Sequence, residues 1–235
     1  MSDRSLILTA FALSLAVNCA VLALRFDWLC VPALLAGWYL ADLASGVVHM
    51  TLDYHPCPPG LGLPDIFFYP GSRESADYLA LRADRMRRLT AFQRVAYDFK
   101  THHPRPDALG RRSLWQQIGV TLIAAALPAS LALNVLALRG SAPSWLIALG
   151  TALIVGSAFA QHFHGCLHRP VVSWYISALR HMGLLMSPAA HQLHHDTLQR
   201  DFATNCGWSN PVVNRLFAAL RARGYLDDAG LEPRL

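Results

Sequence analysis

The sequence predicts an all-α protein, an integral membrane helical bundle with about four transmembrane helices and a cytoplasmic histidine-rich cap. Of the 235 residues, 54% are hydrophobic and only 15% are charged. The mean hydropathy of +0.30 is too high for an ordinary soluble domain. Long apolar stretches recur, and a helix needs roughly 20 such residues to cross about 30 Å of hydrocarbon. We expect one domain over residues 1–235.

Four apolar stretches have the length of a transmembrane helix. They cover residues 5–24, 28–50, 118–138 and 144–164. The first is longer than the core of a secretory signal, and no clean cleavage site follows it, so we interpret it as a retained anchor. Short turns near Phe26 and Arg139 join the stretches pairwise. The sequence therefore predicts two membrane hairpins.

The distribution of basic residues predicts the orientation of these hairpins. Ten of the twenty basic residues lie between Arg73 and Arg112, and seven more lie from Arg169 onward. The two short turns contain one each. The positive-inside rule then places both termini and the segment between the hairpins in the cytoplasm. The preference for arginine over lysine, with abundant alanine, favours a GC-rich bacterium and hence its inner (plasma) membrane. We expect the arginines to contact anionic lipid head groups rather than nucleic acid.

The segments outside the spans predict interfacial structure. Residues 54–100 form a cytoplasmic segment that begins with the irregular, proline-rich "HPCPPGLGLPDIFFYPGS" and continues as one or two surface helices from Glu74 to Lys100. The stretch "VVSWYISALRHMGLLM" is too short to cross a bilayer, and the last twenty-five residues suggest a polar tail. Five cysteines without a C-x-x-C pair argue against a disulfide framework or a cysteine zinc site.

Eight of the eleven histidines fall into four clusters. The clusters are His49 with Asp53 four residues later, His102 with His103, His164 with His168, and His191 with His194 and His195. Positions three or four apart share one helical face, so each cluster can direct its rings to one place. With the predicted orientation, every cluster lies on the cytoplasmic side.

This convergence predicts a metal centre. Ionisable groups at membrane depth are costly and are usually functional. Imidazoles without cysteine suit iron, copper or zinc. Eight are too many for one tetrahedral zinc ion, so two metal ions are the simplest explanation.

The remaining polar residues receive simpler interpretations. His55, His162 and His181 are expected to be satisfied polar groups, and Cys166 to be packing. Asp53 is a metal ligand, an acceptor that orients His49, or a helix-end acid; we prefer the second interpretation.

Taken together, these motifs resemble the membrane lipid desaturases of the Kua and CarF type, which include plasmanylethanolamine desaturases. The resemblance runs from about residue 38 to 217 and rests on "DLASGVVHMTLD", "FKTHHPRP", "QHFHGCLH", "HQLHH" and "CGWSNP".

The resemblance implies a di-iron centre with two iron ions, which removes two hydrogens from a lipid chain using O2 and two electrons. The implied ligands are His49, His102, His103, His164, His168, His191, His194 and His195. It implies no catalytic residue beyond the ligands. The expected substrate is the 1-O-alkyl ether chain of a phospholipid, which would become a vinyl ether (plasmalogen formation). A cytochrome b5-like or ferredoxin-like donor would supply the electrons, because the sequence contains no flavin or haem motif.

Other functions stay open at this point. An acyl-chain desaturase or a hydroxylase would use the same site. A metal transporter or metal-binding membrane protein would place ligands at the bilayer midplane and on both faces. A zinc hydrolase is disfavoured because there is no H-E-x-x-H motif.

Overall fold

Four helices of the computed structural model are long and apolar enough to cross a membrane, which confirms the predicted count. The structure describes residues 2–234, and every regular element in that range is helical. The spans are α1 (Asp3–Leu24), α2 (Cys30–Tyr54), the third span Leu114–Leu138, and α9 (Ser144–Leu167). The second, third and fourth spans extend three or four residues beyond the predicted stretches at the end that carries the histidines.

The third span is one continuous helix with a wide turn inside it. It consists of α7 (Leu114–Thr121), a π-helical turn (Leu122–Ala126) and α8 (Leu127–Leu138). Pro128 follows the wide turn and has no backbone N–H to donate. A π turn next to a proline allows the span to continue across the missing hydrogen bond.

Small residues bring α2 and α9 into close contact at the centre of the bundle. Ala33 and Ala41 of α2, and Ala148 and Ala152 of α9, are buried. A Cβ added at Gly156 of α9 would overlap the Ala41 methyl group. Small residues allow two membrane helices to approach closely and gain van der Waals contact.

A buried polar network joins α1 to α8. The Ser14 and Ser130 hydroxyls are 2.7 Å apart, and the Asn18 and Asn134 amides donate to Ser130 and Ser14 at 3.2 and 2.8 Å. Since lipid offers no partners for these groups, the network fixes the register of the first hairpin against the second.

Between the second and third spans lie four short helices. They are α3 (Leu63–Phe67), α4 (Ala76–Arg87), α5 (Ala91–Lys100) and α6 (Pro106–Gly110). The predicted surface helices correspond to α4 and α5. Ile66, Tyr78 and Tyr97 belong to a small hydrophobic core of their own in this segment. The segment expected to be irregular contains α3, because Leu63, Ile66 and Phe67 bury one face in that core.

After the fourth span the chain forms α10 (Trp174–His181), α11 (Pro188–Thr197) and α12 (Asn210–Ala222). The prediction of a polar tail was wrong for α12. Val213 and Phe217 lie four residues apart on one face of α12 and pack with Met50 and Tyr54 of α2. The arginines on the other face make the segment polar on average, so the sequence did not reveal this apolar face.

The Asp42 carboxylate fastens α2 to the segment before α12. It accepts hydrogen bonds from the backbone N–H groups of Cys206, Gly207 and Ser209 and from the Ser209 hydroxyl, at 2.7 to 3.0 Å. A fully buried carboxylate is tolerated when its lone pairs are filled in this way. Its role is therefore structural.

Candidate metal centre

Histidines from four parts of the chain meet at one end of the bundle. His49 lies in the last turns of α2, His102 and His103 follow α5, His164 lies in the last turn of α9 with His168 just beyond it, and α11 carries His191, His194 and His195. The structure therefore brings together all eight histidines that the sequence singled out. They form two groups, in each of which the possible ligand atoms lie within 4.8 Å of one another.

The first group, called the five-histidine group, contains His102, His164, His168, His191 and His195. The Nε2 atom of His191 is 3.1 Å from Nε2 of His164 and 3.2 Å from Nε2 of His195. A single Nε2 carries at most one proton, so these neutral rings cannot make a proper hydrogen bond at both contacts. A cation among the three nitrogens would remove the conflict.

The second group, called the Asp53 group, contains His49, Asp53, His103 and His194. The carboxylate oxygens of Asp53 lie 3.2 Å from His49 Nε2 and 3.4 Å from both His103 Nε2 and His194 Nε2. Asp53 therefore lies among the converging nitrogens, and it is one of the four residues that could hold a metal ion there.

The two groups are in direct contact. The ring centroids of His102 and His103 are 4.2 Å apart, and those of His49 and His164 are 4.9 Å apart. Two metal ions held by these groups would be neighbours.

Backbone carbonyls orient two of the rings. The Nδ1 atom of His102 donates to the Phe99 carbonyl, and Nδ1 of His194 donates to the Arg200 carbonyl at 2.9 Å. In each ring this places the proton on Nδ1 and leaves the Nε2 lone pair facing the centre. Such outer hydrogen bonds fix both the tautomer and the orientation of metal-binding histidines.

Burial keeps four of these imidazoles, on His102, His168, His191 and His195, uncharged at neutral pH. Burial, reinforced by the neighbouring histidines, lowers the pKa of His168 to about 4 and that of His195 to about 3. The same causes hold the pKa values of His102 and His191 well below 6.5. The neutral ring is the form that binds a metal ion.

Unpaired polar atoms in the centre fit metal ligation. Among the described residues, both Asp53 oxygens, both His49 ring nitrogens and the Nε2 atoms of His102 and His168 are buried without a hydrogen-bond partner. Buried polar groups normally have a partner, because desolvation without one is costly. A nitrogen-rich pair of sites with one carboxylate suits first-row metals such as iron.

Two phenylalanines close the centre on its apolar side. The Phe99 ring lies 4.8 Å from the His49 ring, and the Phe202 ring lies 4.9 Å from the His194 ring, measured between centroids. Phe202 is fully buried. These rings exclude water and lower the local dielectric around the ligands.

Lys100 is a structural part of the centre that the sequence analysis missed. Its buried ammonium group donates to the carbonyls of Leu52, at 2.7 Å, and of Asp53. These are orphan carbonyls at the end of α2, so Lys100 caps the turn that carries Asp53. Burial lowers the pKa of Lys100 to about 8. Lys100 is the only lysine in the chain, and this was the one feature of the sequence that could have drawn attention to it.

The three other histidines lie outside both groups. The His55 ring packs on Phe92 with centroids 4.9 Å apart, and Nδ1 of His162 is 2.8 Å from the Gln117 side-chain oxygen. His181 is exposed and donates to the Ser177 carbonyl.

One comparison with known families gives a match. The family model described as lipid desaturase domain matches residues 89–226, which is more than half of the chain. The matched range contains seven of the eight clustered histidines, and His49 and Asp53 precede it. No curated protein and no solved structure gave a significant match.

Proposed function

The chain belongs to the lipid desaturase domain family, and from this membership we propose a specific reaction for it. Membership makes the protein a membrane lipid desaturase, an oxidoreductase with a lipid substrate and O2 as oxidant. We propose that it converts the 1-O-alkyl ether chain of a phospholipid into a vinyl ether. The two hydrogens removed, with two electrons and two further protons, reduce O2 to two water molecules. Support for the ether chain comes from the motifs shared with plasmanylethanolamine desaturases.

The observation that carries the proposed mechanism is the pair of adjoining ligand groups at one end of the bundle. We propose that the five-histidine group holds one iron ion and that the Asp53 group holds the other. When bound, the two irons supply the oxidising power that an unactivated C–H bond requires and that acid-base groups lack. Zinc offers no redox chemistry and would not serve.

The residues of the chain then prepare the site. The low pKa values of His102, His168, His191 and His195 keep these ligands available. The Phe99 and Arg200 carbonyls hold two rings in one tautomer. Asp53 provides the one negative charge in the two groups and partly balances the metal charge. Lys100 fixes the turn from which Asp53 projects.

Substrate and electrons would reach the centre by different routes. The lipid chain would lie along the apolar spans, where burial contributes about 0.8 kcal/mol per methylene. Electrons would come from a cytochrome b5-like or ferredoxin-like protein. The segment from Arg73 to Arg112 carries ten basic and five acidic residues, so it offers a net positive surface to such a donor.

Hydroxylation is the nearest alternative, because it needs the same centre. It differs only in the last step, in which the substrate gains oxygen instead of losing a second hydrogen. Desaturation of an acyl chain is equally compatible with the ligands. A metal transporter fits less well, since both ligand groups lie at one end of the spans.

The test is lipid mass spectrometry of cells that express the wild type, His194→Ala or the control His181→Ala, with a supplied electron donor. We expect the wild type and the control to form an acid-labile lipid two mass units lighter than its alkyl precursor. His194→Ala should not form it. Unsaturated acyl chains instead would show that the substrate is wrong, hydroxylated products would show that the reaction is wrong, and a purified protein without iron would refute the site.

A further inference from the structure

A cleft of about 570 Å³ with a mixed polar and apolar lining lies beside the metal centre, between the α10–α11 connection and the start of α12. Its lining includes Arg180, Ser187, Ala190, Trp208 and Asn210. A volume of this size is typical of a ligand pocket. None of the metal-centre residues lines the cleft.

Arg180 brings a cation into the cleft without a counter-ion. Its Nη2 atom donates to the Cys166 carbonyl at 3.0 Å, whereas its Nε atom is buried and has no partner among residues 2–234. Within the same range no carboxylate lies at salt-bridge distance from it. A partly buried charge without a partner is costly, so the guanidinium favours an anionic ligand.

Asn210 and Ser187 add hydrogen-bond donors to the cleft. Asn210 accepts from the Ala203 N–H through its oxygen, which leaves its amide nitrogen to donate. Ser187 accepts from the Ala190 N–H and retains its hydroxyl hydrogen. Asp201 also lines the cleft, but its carboxylate is engaged by Arg200 at 2.7 Å and by Asn214 at 3.1 Å.

The position of the cleft matches the depth of lipid head groups. It lies in the segments that follow the end of α9, and two nearby tryptophans, Trp174 and Trp208, are 82% and 40% exposed. Tryptophan is enriched at the level of the head groups. In addition, α11 separates the cleft from the candidate metal centre: Ala190 and Leu193 line the cleft, and His191 and His194 belong to the two histidine groups.

We infer that this cleft binds the phosphate group of a phospholipid head group, with Arg180, Ser187 and Asn210 as its donors. The inference rests on the proposed function and makes it more specific. Arg180 also donates to the Cys166 carbonyl at the end of α9, so a phosphate bound there lies next to the helix end that carries His164 and is followed by His168. The head group would thereby set how far along the lipid chain the metal centre acts.

A matched pair of substitutions tests the cleft without touching Arg180. Ala190 is exposed and is the third residue of α11 after the Ser187 cap, where both Glu and Gln complete a capping box and preserve the helix. Ala190→Glu adds a negative charge to the cleft, and Ala190→Gln adds the same volume without the charge. Binding of dihexanoylphosphatidylethanolamine to purified protein is measured by calorimetry, with dihexanoylglycerol and inorganic phosphate as comparison ligands.

We expect the phospholipid to bind wild type and Ala190→Gln similarly, and Ala190→Glu at least about tenfold more weakly. Arg180→Gln should weaken binding as well, whereas Arg223→Gln, which removes an exposed arginine elsewhere, should not. Equal affinity of the two Ala190 variants, or dihexanoylglycerol binding as tightly as the phospholipid, would overturn the inference. Inorganic phosphate binding as tightly as the phospholipid would make the cleft a free-phosphate site and overturn the lipid assignment.

The same variants separate this inference from the proposed function. Charge-dependent phospholipid binding without any double-bond formation would refute the reaction and leave the cleft standing. If Ala190→Glu changed neither double-bond formation nor phospholipid binding, only the assignment of the cleft as a phosphate site would be refuted.

Discussion

Single residues at the candidate metal centre illustrate how burial keeps histidines in the neutral form that can bind a metal ion. In water an imidazole titrates near pH 6.5, but at this centre packing against other rings removes solvent and penalises the charged form. Asp53 is the residue whose position could not be read from spacing alone. An aspartate four residues after a histidine suits either an orienting acceptor or a ligand. Only the tertiary structure, which brings His103 and His194 to the end of α2, places its oxygens among three Nε2 atoms.

Asp53→Asn tests the position of this carboxylate. We expect the iron content to fall from about two ions per chain to about one, because an amide is a weaker and uncharged ligand. The measurement is metal analysis of purified protein, with Asp196→Asn as the matched control, since Asp196 is exposed on the same helix as the histidines. Full iron content in Asp53→Asn would show that Asp53 is not needed as a ligand.

The lowered histidine pKa values predict an acid-sensitive metal-free protein. His168, with a pKa of about 4, stays neutral in the folded state while the unfolded chain takes up a proton near pH 6.5. The unfolded state therefore binds more protons between these values, and the free energy of unfolding falls as the pH drops from about 6.5 to about 4. Thermal unfolding of the metal-free protein across this range should show the loss. His168→Gln should flatten the profile, and an unchanged profile would contradict the prediction.

At the scale of elements, the packing of α2 against α9 positions two of the four histidine clusters. These helices end side by side, so His49 and His164 meet, and α5 and α11 then fold over their ends. Small residues make this approach possible, and Gly37 lies at one point of close contact. A Cβ at Gly37 would overlap the Leu149 carbonyl of α9, which belongs to the backbone and cannot move aside easily.

Gly37→Leu should therefore destabilise the bundle, by about 1–3 kcal/mol or more, through overpacking. The neighbouring Ala36 is exposed in a shallow groove on the outside of the same helices, so Ala36→Leu is the matched control. Thermal unfolding in detergent and iron content are the two measurements. We expect both to fall in Gly37→Leu alone, and an equal effect of the two substitutions would mean that helix contact is not the cause.

Across the whole molecule, four alternating spans bring every histidine cluster to one end. The ends of α2 and α9 and the start of the third span lie together, as the arrangement of the ligand groups requires. The arginine-rich segment between the hairpins packs at this same end through α5, whose Lys100 contacts α2. That this end faces the cytoplasm, and that the membrane is the plasma membrane of a bacterium, remain predictions from the distribution of arginine.

Reporter fusions test the orientation. A fluorescent protein attached after the C-terminal tail should fluoresce, and a periplasmic phosphatase inserted in the turn at Ser141 should be active, because the basic segments stay on the cytoplasmic side. Swapping the two reporters should abolish both signals. The reverse pattern would place the metal centre outside the cytoplasm and rule out a cytoplasmic electron donor.

The sequence alone determined the helical class, the number of spans and the eight clustered histidines, because hydropathy and spacing are local properties of the chain. Local pattern did not reveal α12, whose apolar face is short, or the cap formed by Lys100, whose partners lie 47 and 48 positions away. Only the tertiary structure showed how the histidines divide into two groups. It also showed that Asp53 lies among the ring nitrogens of one group, and where the cleft with Arg180 lies. Each of these features depends on which side chains from distant segments lie within a few ångströms of one another. The periodicity of the sequence does not contain that information.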